Sequence, residues 1–181
     1  MRGLLAAGLV AISALTGSAF AQNADSAAES TTDHSKLKPL MREFVSGPEV
    51  TSVCLSCHTE ADNQVMHTLH FTWDFTHPQT GQTLGKRNVL NSFCGNVATN
   101  EARCTSCHTG YGWEDTRVAA PADPSAVDCL ACHDRSGQYT KQDNLAGHPP
   151  LDPVAKGAKT ITGADAWAVD LTKAAQSVGL P

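Results

Sequence analysis

Cys54-Leu55-Ser56-Cys57-His58, Cys104-Thr105-Ser106-Cys107-His108 and Cys129-Leu130-Ala131-Cys132-His133 write one pattern, C-x-x-C-H, three times within residues 53–138. On a helical turn, positions i, i+3 and i+4 share a face, so each copy presents two thiols and an imidazole together. That is the spacing by which a c-type haem is attached. Cys54 and Cys57, Cys104 and Cys107, and Cys129 and Cys132 supply thiols for thioethers to the vinyl groups, while His58, His108 and His133 supply proximal iron ligands. Zinc would take four ligands from paired knuckles and would not need a histidine after every second cysteine. A redox dithiol would be single and set in a βαβ pattern, which the sequence lacks. The expected cofactor is therefore three covalently bound haem c groups.

Working outward, residues 1–21 read as a cleaved secretory signal peptide. Arg2 gives the positive start, residues 4–15 an almost unbroken apolar run, and Ala19-Phe20-Ala21 the small-residue exit. The run is short for a bilayer span, and no later segment approaches that length, so no membrane span is expected after leader cleavage. The expected location is the periplasm, where haem attachment takes place. The motifs use six of the seven cysteines and leave Cys94. Loss of Arg2 leaves twelve basic against eighteen acidic residues, a formal charge of −6. That balance argues against nucleic-acid binding, which wants a basic stripe, and fits solubility and the choice of redox partner proteins.

Residues 22–49 read as a flexible leader, small and polar at first. His34 lies there and reads as solvated, and Gly47-Pro48 reads as a turn. Residues 50–145 form the three-haem domain. Residues 146–181 form a Pro/Gly-rich connection and a C-terminal helix over 164–178, with Trp167, Leu171, Ala174 and Val178 on one stripe and Gly179 as its stop. The first two motifs start 50 residues apart and the last two 25 apart, which predicts close contact of the second and third haems. The expected fold class is mainly α with much irregular structure, a multihaem cytochrome c fold organised around three covalently attached haems.

Five histidines remain for sixth positions: His34, His67, His70, His77 and His148. With only Met41 and Met66 as thioether alternatives after leader removal, the supply favours two histidines per iron. His67 and His70 lie three apart, so at most one serves the first haem. His70 is preferred because Phe71 and Trp73 flank it and can pack on a porphyrin. His77 before Pro78 and His148 before Pro149 are further distal candidates. Cys94 is either a small buried hydrophobe or a thiol placed to meet a substrate or a partner's thiol. Lys86 and Arg87 either attract an anion there or are simply solvated.

The stretches between the motifs are more specific. Gln64-Val65-Met66, His70-Phe71-Thr72-Trp73, Gly85-Lys86 and Asn91-Ser92-Phe93-Cys94 resemble the octahaem tetrathionate reductase family of periplasmic cytochromes. So do Asn100–Cys104, Gly110-Tyr111-Gly112-Trp113, Val127-Asp128-Cys129 and residues 170–179. The resemblance implies multihaem electron transfer and reduction of tetrathionate, nitrogen oxyanions or hydroxylamine. It also implies that Cys94 lies near a catalytic haem held through His108, whose sixth ligand in the family is a lysine. Family members need eight attachment motifs and this chain has three. The chain thus looks like an N-terminal portion leading into a missing C-terminal part. Lys156, Lys159 and Lys173 do not stand in the context expected of the ligand lysine.

Three functions follow as expectations. The first is electron transfer to a redox partner protein. The second is a reductase of small sulfur or nitrogen oxyanions at the second haem, with Cys94, Lys86 and Arg87 lining its cavity. The third is a structural haem subunit, docked through the terminal helix on another haem-bearing chain.

Overall fold

The computed structural model describes residues 32–85, 88, 90–91, 95–96, 101–106, 108–114, 120–152, 157 and 168–180. Helix α1 (Gly47–Leu55) brings the first motif into the fold. Ser46 caps it by accepting from the Glu49 N–H, Pro48 sits in its first turn, and Glu49 faces the positive end of its dipole. Gly47-Pro48, read as a turn, is thus a helix start. Gly47 is needed for a second reason: a Cβ there would collide with the Tyr111 ring.

The other elements are short. Helices α2 (Ala61–Met66) and α3 (Leu69–Thr72) lead into strand β1 (Phe75–Thr76), which pairs antiparallel with β2 (Thr83–Leu84), Phe75 opposite Leu84. A second ribbon joins β3 (Leu90–Asn91) to β4 (Gly95–Asn96). Helix α4 (Glu101–Cys104) ends on the second motif, and α5 (Leu130–His133) is the third motif itself. Helix α6 (Leu171–Gln176) closes the described chain. Short helices in much irregular chain match the expectation; the two ribbons do not follow from it.

Two apolar clusters hold these pieces. The larger joins Leu40, Phe44, Val50, Leu130, Val169, Leu171, Ala174 and Ala175. The smaller joins Phe71, Ala126 and Val127, with Val65, Met66 and Cys129 packed against it. Residues 126–130 enter both, so the approach to the third motif is the seam of the molecule. Burying side chains of leucine or phenylalanine size contributes about 1.5–3 kcal/mol each.

Two boundaries differ from the sequence reading. The described part of the expected leader, residues 32–49, is docked: Leu40 and Phe44 are buried, Thr172 donates to the Arg42 carbonyl and Gln176 to the Leu40 carbonyl. Two buried apolar side chains and two hydrogen-bonded carbonyls hold a segment that also carries exposed Leu37, Met41 and Val45. The terminal helix begins at Leu171, because Asp170 accepts from the Lys173 N–H and the Val169 N–H is committed to Pro150. Its stripe packs on the chain's own core through Leu171 and Ala174. Residues 1–31 and Trp167 lie outside the described residues. Among the described residues no helix is long and apolar enough to cross a membrane.

Candidate metal centres

In the first motif the last turn of α1 half-buries Cys54 and leaves Cys57 and His58 exposed. The His58 N–H returns to the Cys54 carbonyl at 2.8 Å, which wraps the pentapeptide into a turn. The His58 and His34 ring centres are 6.4 Å apart, with planes 22° from parallel. His34 is half-buried.

In the third motif Leu130 points into the core while Cys132 and His133 are exposed. Gly179 pins the histidine from both sides. Its N–H donates to the His133 carbonyl at 3.0 Å, and its carbonyl accepts from His133 Nδ1 at 2.9 Å. A carbonyl can only accept, so Nδ1 holds the proton and Nε2 keeps its lone pair. The first and third motifs also meet directly. The Cys54 and Cys129 thiols are hydrogen-bonded, and that bond, then burial, pushes Cys129 well above the ordinary thiol range.

The second motif is different. Cys104 ends α4 and Cys107 lies outside the described residues. His108 is 5% exposed, and neither ring nitrogen reaches a hydrogen-bond partner among the described residues. Trp73, Trp113 and Phe71 surround it at ring-centre distances of 4.4, 4.7 and 6.1 Å. Trp73 reaches it from the left-handed backbone at φ 60° that ends α3, an unusual conformation for a bulky residue. Burial, then the charge of Lys141, pushes His108 down to about 3, so its ring is neutral, as an iron ligand must be. A buried, unpartnered imidazole nitrogen costs about 1–3 kcal/mol. Iron coordination would satisfy one of the two. The orphaned His108 nitrogens and the free Nε2 of His133 fit the iron-ligand role expected of these motifs.

Asp128, directly before the third motif, ties that motif to the second. It is 2% exposed and accepts from Tyr111 Oη at 2.8 Å, Tyr139 Oη at 3.0 Å, the Ala131 N–H at 3.0 Å and Lys141 Nζ at 2.9 Å. Lys141 also donates to the His108 carbonyl. Burial, then the Asp128 charge, raises both tyrosines well above their usual range. Antiparallel bonds flank the network: Tyr111 N–H to Ala126 and Asp128 N–H to Thr109.

The distal candidates scatter. His70 is exposed, and its carbonyl accepts from Thr109, next to His108. It therefore sits beside the second motif. His67 donates from Nδ1 to the Asn63 carbonyl at 2.7 Å. His77 accepts from the Gln79 and Thr80 N–H groups at Nδ1, both 3.3 Å, which leaves its neutral-ring proton on Nε2. His148 is stacked on Tyr111 at 5.1 Å, and burial, then Lys141, lowers its pKa. Cys94, Lys86 and Arg87 lie outside the described residues. On sequence, Asp128 and Tyr111 stand in the stretches that carry the resemblance but have no assigned role, and Lys141 and Tyr139 are unmarked. A capping aspartate before α5 was a visible signal, whereas nothing marked Lys141 as buried.

Scans against protein-family models and against the curated proteins found no match. Among solved structures, the chain is similar to the octaheme cytochrome c from Shewanella oneidensis, at 39% identity and a TM-score of 0.60. The likeness covers 83% of this chain and 30% of that one, so the chain spans under a third of its relative's length.

Proposed function

We propose that this chain is an electron-transferring module of a multihaem c-type cytochrome, holding three covalent haems and working in the periplasm. The observation that supports it best is the packing together of three C-x-x-C-H turns, the second tied to the third by Asp128 with Lys141 and the first meeting the third at Cys54 and Cys129, in a chain 39% identical to an octaheme cytochrome c over 83% of its length. Cys54 and Cys57, Cys104 and Cys107, and Cys129 and Cys132 would anchor the groups, and His58, His108 and His133 would bind the irons. Bound haem supplies a one-electron couple. The chain's own residues do the rest: Gly179 orients His133, and burial keeps His108 neutral. Asp128 with Lys141 fixes the second motif relative to the third. Redox partner proteins are the expected donors and acceptors.

A second reading places a reductase of tetrathionate, hydroxylamine or nitrite at His108, with Cys94, Lys86 and Arg87 beside it. The aromatic enclosure of His108, unlike the exposed His58 and His133, favours that position over the other two. A structural subunit role is the weakest reading, since the apolar stripe of α6 is already used by the chain's own core. Low-temperature EPR of the oxidised, matured protein tests these readings. Low-spin signals alone, unchanged by hydroxylamine, nitrite or tetrathionate, support the relay. A high-spin signal that shifts with one of them moves the reductase ahead.

A further inference from the structure

We infer that Asp128 and Lys141 set the second and third attachment sites at different reduction potentials, Lys141 raising the second and Asp128 lowering the third. The inference rests on the proposal that both motifs carry haem. The pair is an internal dipole whose two ends lie on different motifs. Its positive end, Lys141 Nζ, donates to the carbonyl of His108, the histidine of the second motif. Its negative end, the Asp128 carboxylate, stands directly before Cys129 and accepts from the Ala131 N–H, inside the third motif, at 3.0 Å. The two ends meet at 2.9 Å, with the lysine side chain 3% exposed and the aspartate 0% exposed.

Burial gives the pair its reach. A surface ion pair is screened by water and salt, whereas a buried one acts through a low dielectric on whatever lies beside it. Lys36 with Asp33 and Arg103 with Asp143, by contrast, have both partners more than a third exposed. Two side chains register opposite potentials at the two ends. At His108, burial and then the Lys141 charge push the pKa down, as a positive potential does. At Cys129, the bond to Cys54 and burial come first, and the Asp128 charge adds to them in raising the thiol, as a negative potential does. Ferric iron carries one more positive charge than ferrous, so a positive potential favours the ferrous state and a negative one the ferric. The pair therefore draws a shared electron toward the second site. Its departure oxidises the iron at the third motif and its arrival reduces the iron at the second, with no bond made or broken.

The test uses the full, matured chain and the charge-free variant Asp128→Asn with Lys141→Gln, which keeps the shape of the pair. Peptide mass mapping first establishes haem on Cys104 with Cys107 and on Cys129 with Cys132; if either pair is bare, the underlying reading and this inference fall together. Redox titration followed by NMR then reads the midpoint potential at each site, with haem signals assigned through the cysteines that hold them. In the variant the potential at the second site should fall and that at the third should rise. The equilibrium constant for one electron passing from the third site to the second should drop about tenfold, which is 59 mV. Movement of both potentials in one direction, of one alone or of neither would overturn the inference while leaving haem attachment standing. Should that variant fail to mature, the apolar pair Asp128→Leu with Lys141→Met carries the same expectation and the same grounds for rejection.

Discussion

The first and third motifs and the second are the same pentapeptide in two environments. His58 and His133 are exposed at the rim of a helix-built core, while His108 is enclosed by Phe71, Trp73 and Trp113. At the rim, the Gly179 carbonyl fixes the tautomer of His133. The enclosed site is organised by burial, which leaves both His108 nitrogens without hydrogen-bond partners among the described residues and holds the ring neutral. A motif thus sets the ligand, and the surrounding chain sets how wet that ligand is. Solvent exposure and hydrogen bonding are the levers that separate otherwise identical haem sites.

The two environments share one beam, Asp128 with Lys141, and its loss is the largest effect expected. Asp128→Ala or Lys141→Ala leaves a buried charge without its ionic partner, which should remove about 3–5 kcal/mol from denaturant unfolding of the matured chain. Replacing both together, Asp128→Leu with Lys141→Met, should recover much of that. Equal losses in the single and double variants would break the claim that the pair couples the two sides. Next, Leu171→Ala should cost about 2–4 kcal/mol by opening a cavity under α6. Hydrogen exchange should then rise at Gly179 and Arg135 before it rises at Tyr111, because their backbone bonds lie on the segment that directly follows α6.

Smaller effects sharpen the same contrast. Tyr111 and Tyr139 have folded pKa values raised by burial, then by Asp128. Their contribution to stability is complete below the ordinary tyrosine value of about 10 and is lost as pH rises toward the folded values. Unfolding midpoints followed from about pH 8 to 12 should fall at the alkaline end, and Tyr139→Phe should flatten that fall. Least of all, Asp170→Ala removes the cap of α6 and should cost about 1 kcal/mol, read by thermal unfolding.

The residues that would contact the cofactor were legible because C-x-x-C-H repeats a geometry the side chains themselves enforce. The α1 start was legible in part, since Ser46, Pro48 and Glu49 stand in order, but Gly47-Pro48 reads equally as a turn. That His34 is docked was not legible. Its neighbours are small and polar, and what docks it is Leu40 and Phe44 meeting α6 some 130 residues later. Lys141 was hidden for the same reason, because its buried partner Asp128 lies 13 positions away along the chain and no local period connects them. Spacing in sequence predicted close contact of the second and third haems. The fold ties the second and third motifs together through Asp128 and Lys141, and adds the contact of Cys54 with Cys129 through the packing of α1 on residues 124–126.

The most direct test of the central claim is mass spectrometry of the matured chain, intact and after digestion, to count and place covalent haem. The account predicts three additions, one each on Cys54 with Cys57, Cys104 with Cys107 and Cys129 with Cys132. Any of these pairs found bare, bridged as a disulfide or holding zinc in the matured protein would contradict it.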